Sequence, residues 1–215
     1  EYVQVMKELW ETGASDFQGE HFRMEGCMMK PAPSGPIPIV AAGQSGRGME
    51  FAATYADYNF VLGTGLNTPT ACAPTCARLI EATAKTGRDV GSYVLMMVIA
   101  DETDAAAEAR WLAYRQGADV AALAWMLDQS TQDKNASADS TATWMNLPEG
   151  AVNFNMGTLV GSYAKVARML DEAAAVPGVK GIMLTFDDFL AGLDAFGTRI
   201  QPLMACREAR REIAA

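Results

Sequence analysis

The stretch PIPIVAAGQSGRGM, residues 36–49, decides how the rest of the chain is read. A short apolar run from Ile37 to Ala42 breaks abruptly into Gly43-Gln44-Ser45-Gly46-Arg47-Gly48. An apolar run of this length bounded by turn signals suits a strand buried on both faces, as in a parallel sheet. Glycines at the carboxyl end of such a strand, ahead of a helical pattern, suit a main chain that a ligand approaches closely. They also suit nothing more than a tight turn from strand to helix.

Three more apolar runs follow, at Tyr58 to Leu62, Tyr93 to Ala100 and Gly181 to Phe186, each with helical periodicity after it. Strands that alternate with helices predict βα units and an α/β fold with a parallel sheet. Pro69 or Pro74 suits the first turn of the helix after Leu62, and Gly87 suits its end. Thr103 or Asp101 can cap the next helix. Gly161-Ser162 opens an amphipathic helix with Tyr163, Val166, Met169 and Leu170 on one face, ended by Pro177-Gly178. A last helical stretch is expected over about Leu190 to Arg207.

Upstream of this series, EYVQVMKELW carries Tyr2, Val3, Met6, Leu9 and Trp10 at helical spacing, so the chain opens inside a helix that Gly13 ends. About eighty residues separate the third and fourth strand-like runs, far more than a crossover needs. Part is helical, through Trp111, Tyr114, Leu123, Trp125, Met126 and Leu127, and DKNASADSTAT at 133–143 reads as a mobile surface segment. Such an excursion serves as a lid or is an inert insertion. No internal repeat or linker divides the sequence, so one domain is expected, although a series of four strands that starts in mid-helix has the shape of a truncated one.

Bulk properties narrow the function. Half of the 215 residues are apolar and the formal charge is -9. An acidic chain without clustered Lys and Arg argues against nucleic acid or an anionic membrane as partner. No apolar stretch approaches the roughly 20 residues that span a bilayer, and no signal peptide is evident, so a cytoplasmic location is expected. Cys27, Cys72, Cys76 and Cys206 lack metal-ligand spacing and read as buried free thiols, with no metal site. The single histidine, His21, has no visible partner for catalysis and reads as a loop residue.

Several long segments, in the same order and with similar spacing, carry a family resemblance: PIPIVAAGQSGRGMEFAATYADYNFVLGTGLNTPTA, TGRDVGSYVLMMVIADETD, AVNFNMGTLVGSYAKVARMLDE and GIMLTFDDFLAGLDAFGTRIQPLM. From residue 1 to about 207 the chain resembles the carboxyl-terminal portion of the flavin-dependent pyrimidine monooxygenases of the luciferase-like superfamily. That resemblance implies strands five to eight of a (β/α)8 TIM barrel, so residues 1–215 would form a single partial barrel domain. It would lack its amino-terminal strands and carry a helical insertion at about 101–157. It further implies reduced FMN and O2 as reactants, a separate NADH-dependent flavin reductase, and oxygenative opening of the uracil or thymine ring to a ureidoacrylate-type product. Another luciferase-type oxygenase, acting for example on alkanesulfonates, or a non-enzymatic flavin-binding relative are the alternatives, and a homo-oligomer is possible.

Barrel active sites gather at the carboxyl ends of the strands. By resemblance Ser45 is the flavin contact, with Gln44 and Gly46 following by adjacency. Gly43 and Gly46 would let amides approach the FMN phosphate, and Arg47 would reach it or face solvent. Thr185, Asp187 and Asp188 end a strand, and the two aspartates read as caps of the following helix. Asn153, Phe154 and Asn155 line a pocket mouth or form an ordinary loop. The cofactor carries the hard chemistry in such enzymes, and no catalytic residue is assigned within this chain.

Overall fold

A computed structural model describes residues 1–130 and 153–207. The chain divides into two compact units, 1–39 and 40–215. In the first, α1 (Tyr2–Thr12) ends at Gly13, whose φ of +76° is the left-handed conformation that glycine tolerates. Strands β1 (Ala14–Ser15) and β2 (Cys27–Met28) pair antiparallel. The Glu1 carboxylate accepts the amides of Glu20, His21 and Phe22 at 2.8–3.0 Å. His21 is exposed on this loop, as its lack of a sequence partner implied.

The second unit is built on a parallel sheet. Its strands are β3 (Val40–Ala41), β4 (Tyr58–Leu62), β5 (Gly91–Asp101), β6 (Thr158–Ser162) and β7 (Val179–Phe186). Every pairing among them is parallel. Strand β5 is the hub, with β7 along one edge, while β4 borders its first half at 91–95 and β6 its second half at 97–101. Four helices follow strands in the expected way: α2 (Gly46–Tyr55), α3 (Ala73–Thr86), α4 (Asp104–Gln116) and, after α5 (Val120–Ser130), α6 (Tyr163–Ala174). Their caps match the sequence signals. Gly87 closes α3 with φ +69°, and Thr103 and Ser162 accept amides of the first turns of α4 and α6.

The two faces of this sheet differ. Val61, Val94, Met96 and Val98 point to one side and bury against α3 and α6, where Cys76, Val166, Leu170 and Ala173 complete a core. On the other side lie Phe60, Tyr93 and Gly181 at one level and Leu62, Leu95 and Met183 at the next. Tyr58 and Tyr93 stack there with ring centroids 4.2 Å apart. This second face is only half covered, and Met183 is 43% exposed.

Three expectations need correction. The run Ile37 to Ala42 contracts to the two residues Val40–Ala41 at the sheet edge, with Val40 47% exposed rather than buried on both faces. Pro36 and Pro38 supply no N–H for a ladder, which confines pairing to the end of the run. Second, Thr158–Ser162 is a strand, whereas only its last two residues were read, as a helix opening. Third, the expected helix over 190–207 is broken. α7 (Phe189–Ala195) passes into a π-helical turn, Phe196–Ile200, and a 3-10 turn, Gln201–Leu203, which contains Pro202. A proline inside a helix has no amide to donate and clashes with the preceding turn. The stretch read as mobile, 133–143, lies outside the described residues. The four cysteines are free, Cys72 and Cys76 buried and the other two half-buried.

Candidate functional site

The carboxyl end of β3 turns into α2 at Gly43 to Gly48. A Cβ on Gly43 would stand 2.5 Å from the Gly48 Cα, so strand end and helix start touch through bare backbone. The glycines are required by packing, whatever else approaches them. Ser45 is the N-cap of α2, and its Oγ accepts the Gly48 amide at 3.2 Å. Gln44 is buried, and its carbonyl accepts the Arg78 guanidinium at 2.7 Å. Gly46 and Arg47 are exposed at the positive end of α2. The buried Asn59 holds the Gly43 carbonyl at 3.1 Å.

Beyond Gln44, a cavity of about 450 Å3 opens between the ends of β3 and β4 and the loop that enters β6. Gln44, Leu62, Thr64, Thr75, Asn153 and Asn155 line it, and no charged side chain does so among the described residues. Its rim is laced by backbone: the Gly65 amide donates to the Asn155 carbonyl at 3.0 Å, and the Gly157 amide donates to the Gly63 carbonyl at 2.7 Å. A Cβ on Gly157 would lie 2.7 Å from the Gly63 carbonyl carbon, so this crossing also depends on glycine. Asn67 serves as an artificial strand neighbour. Its Oδ1 accepts the Val160 amide at 2.7 Å and its Nδ2 donates to the Val160 carbonyl at 3.0 Å. Phe154 and Asn155 hold φ near +55°, conformations that side chains rarely adopt and that surrounding structure must enforce.

The aspartates after β7 separate in role. Asp188 caps α7, accepting the Ala191 amide at 3.1 Å. Asp187 does not cap. Its side chain is 5% exposed, and Oδ2 takes both the Arg110 guanidinium and the Tyr114 hydroxyl, the latter at 2.9 Å. Arg110 also donates to the Ala100 carbonyl at 3.0 Å and lies 3.6 Å from Asp101. Burial opposes the Arg110 charge, but Asp187 and Asp101 outweigh it and hold the guanidinium above its ordinary pKa. The hydrogen bond to Asp187, reinforced by burial, raises the Tyr114 phenol.

The structure thus brings Gln44 and the 153–155 loop to one cavity, seats Ser45 and Gly46 on the adjoining helix turn, and gives Asp187 to a different cluster. Sequence reading missed Thr75, Arg110 and the clamp residue Asn67. Thr75 and Arg110 sit on helices with no local mark of a site, although Asn67, just before a proline-flagged helix start, was a visible turn signal.

A family model for luciferase-like monooxygenases matches residues 1–180. The chain is 66% identical over 210 residues to pyrimidine monooxygenase RutA of Bradyrhizobium sp., covering 98% of this chain and 58% of that protein. The protein of the same name from Klebsiella pneumoniae is 62% identical over 208 residues, covering 97% of this chain and 57% of its own length. The crystal structure of DmoA from Hyphomicrobium sulfonivorans matches with a TM-score of 0.66 at 21% identity, over 98% of this chain and 54% of that one, which speaks to the fold. The chain therefore spans less than two thirds of the length of these curated relatives. Among its described residues, no helix is long and apolar enough to cross a membrane. With a parallel α/β sheet, cavities at the strand ends and a family match over most of its length, the chain belongs to the luciferase-like monooxygenases.

Proposed function

We propose that residues 1–215 are one partial TIM-barrel domain, with β3, β4, β5 and β7 as strands five to eight and a helical insertion at about 101–157, in a cytoplasmic pyrimidine monooxygenase. Among the described residues, the half-covered apolar face and the outer edges of β3 and β7, which pair with no further strand, support this reading, because a closed barrel leaves neither. The observation that carries the activity is the 66% identity to a pyrimidine monooxygenase across nearly the whole chain. The reaction is oxygenation of uracil or thymine by O2 with ring opening to a ureidoacrylate-type product. Reduced FMN comes from a separate flavin reductase that consumes NADH.

The residues fit a flavin. A neutral cavity of about 450 Å3, with an apolar wall from Leu62, Phe154 and Met156 and donors or acceptors from Gln44, Thr64, Thr75 and Asn155, suits a planar heteroaromatic ring with a polyol chain. Ser45, Gln44 and Gly46 stand at the amino terminus of α2, where a helix favours an anionic phosphate. Bound reduced flavin supplies the electrons that activate O2. Of this chain's residues, the Ser45 cap fixes the first turn of α2, Gln44 and Thr75 would hold polar groups of the flavin, and Leu62 and Met156 would exclude water.

The test uses the full-length protein with FMN, a flavin reductase, NADH and uracil. Loss of uracil is expected. Oxidation of an alkanesulfonate instead, or flavin binding without turnover of any substrate, would replace this reading.

A further inference from the structure

A second cavity, also about 450 Å3, lies between α4, α5 and the carboxyl ends of β5 and β7. Met97, Trp111, Tyr114, Asn153, Phe186 and Asp187 are among its walls. Asn153 lines both this cavity and the neutral one, so the two compartments share a wall. Next to Asn153, β5 presents two consecutive methionines in opposite surroundings. Met96 is 1% exposed within the core beneath α3 and α6, whereas Met97 is half-buried and lines the second cavity. The Met97 Sδ accepts the Asn153 Nδ2 at 3.7 Å, a weak bond because a thioether sulfur is a poor acceptor. The same Nδ2 donates to the Thr158 Oγ1 at 2.7 Å, and that hydroxyl donates to the Met156 carbonyl at 2.9 Å. One side-chain amide therefore links the Met97 sulfur to the 153–156 loop, which walls the neutral cavity.

We propose that Met97 is an oxidative modification site, converted to its sulfoxide by hydrogen peroxide released in the adjoining neutral cavity, and that the sulfoxide loosens that cavity's wall. The inference rests on the flavin-monooxygenase reading above. Where reduced flavin meets O2 with no substrate to oxygenate, O2 takes up two electrons and two protons and leaves as hydrogen peroxide. The Met97 sulfur then gives a lone pair to one peroxide oxygen. The S–O bond forms as the O–O bond breaks, and the second oxygen departs as water, so sulfur loses the two electrons that peroxide gains. A sulfoxide oxygen is a far stronger acceptor than a thioether, and it draws the Asn153 amide away from Thr158 and shifts the loop that Asn153 anchors. Met28 and Met126 are more open to solvent, at 67% and 49% exposed. What sets Met97 apart is its place one side chain from the cavity where peroxide arises.

The experiment runs full-length protein with FMN, a flavin reductase, NADH and O2, without pyrimidine and with catalase in solution. Peptide-fragmentation mass spectrometry reads oxygen gain at Met28, Met96 and Met97, and calorimetry reads FMN affinity before and after. Exposed Met28 reports peroxide in bulk solution, and sealed Met96 reports unfolding. Met97 is expected to gain oxygen while neither of the others does, and FMN affinity to fall about three- to tenfold. Methionine sulfoxide reductase restores that affinity, and Met97→Leu, close in volume, keeps its own through the same treatment. Should Met97→Leu fail to fold, the sulfoxide-reductase arm on wild type decides. Catalase that protects Met97 as fully as Met28, oxygen gain at Met96 equal to that at Met97, or an oxidised Met97 with unchanged FMN affinity overturns the site and leaves uracil consumption standing. A protein that binds no FMN before treatment ends both.

Discussion

The two faces of the central sheet have similar apolar content and opposite fates. On one, Val94 and Met96 are sealed beneath α3 and α6; on the other, Leu95 between them in β5 and Met183, its register partner in β7, stay half exposed. Alternation along a strand sends successive side chains to opposite faces, so both rows were written into the sequence at equal strength. What differs is the presence of a covering layer. An apolar row left open among the described residues suits cover by a partner, a ligand or further chain.

Charge substitution breaks this comparison most sharply. Val94→Asp buries an unpaired carboxylate and should destabilise by more than about 4 kcal/mol, abolishing folding of residues 1–215. Leu95→Asp, one residue on, should instead reduce self-association of that same fragment, measured by sedimentation. The unsubstituted fragment is expected to aggregate and to bind FMN weakly or not at all. A soluble monomer with tight one-to-one FMN binding would show that the open face needs no cover.

Truncation gives the next effect. Met96→Ala in the full-length protein should cost about 2–5 kcal/mol in urea unfolding. Met183→Ala should cost a comparable amount there if further chain covers it, and under about 1 kcal/mol if the face stays open. At the turn that joins the sheet to α2, Gly43→Ala forces backbone apart and should cost about 1–3 kcal/mol.

Ser45 sharpens the contrast between scaffold and site. Ser45→Ala removes the cap, at about 1 kcal/mol of stability, and weakens FMN binding by about 1–3 kcal/mol if its hydroxyl meets phosphate. Ser45→Asp keeps a capping oxygen and adds a negative charge. Retained stability with lost FMN affinity would place the phosphate at this turn; unchanged FMN affinity in both variants would remove it.

The smallest effect lies on the covered side. Burial works against the Asp171 charge, but the amides of Cys206 and Ala205 prevail and hold its carboxyl below the ordinary value. Its stabilisation is therefore complete above the unfolded pKa of about 3.9 and is lost as pH falls through the lowered folded value. The difference in urea midpoint between wild type and Asp171→Asn should shrink on acidification.

Much of this was legible because local rules acted alone. Gly87, Thr103 and Ser162 end or start helices where the sequence placed them, and Val166, Met169 and Leu170 share the buried face read from their spacing. β6 was hidden because only Thr158 and the apolar pair Leu159-Val160 lie between Gly157 and Gly161, too short a run to announce a strand. Its partners, Met97 to Asp101 and Asn67, are far away in sequence. The second cavity was hidden for a related reason: Trp111 and Tyr114 satisfy a helical pattern, and Asp187 beside Asp188 looks like a redundant cap until Arg110 is brought across 77 residues to meet it.

That long-range pairing has a consequence for anyone building chimeras. Swapping the 102–157 excursion for a relative's, or excising it to obtain a minimal scaffold, takes away Arg110 and Tyr114 while leaving Asp187 on the retained strand end, a carboxylate stranded without its counter-charge. Donor and recipient must therefore be matched at all three positions, or Asp187 replaced in the same step, before any change in turnover can be attributed to the graft.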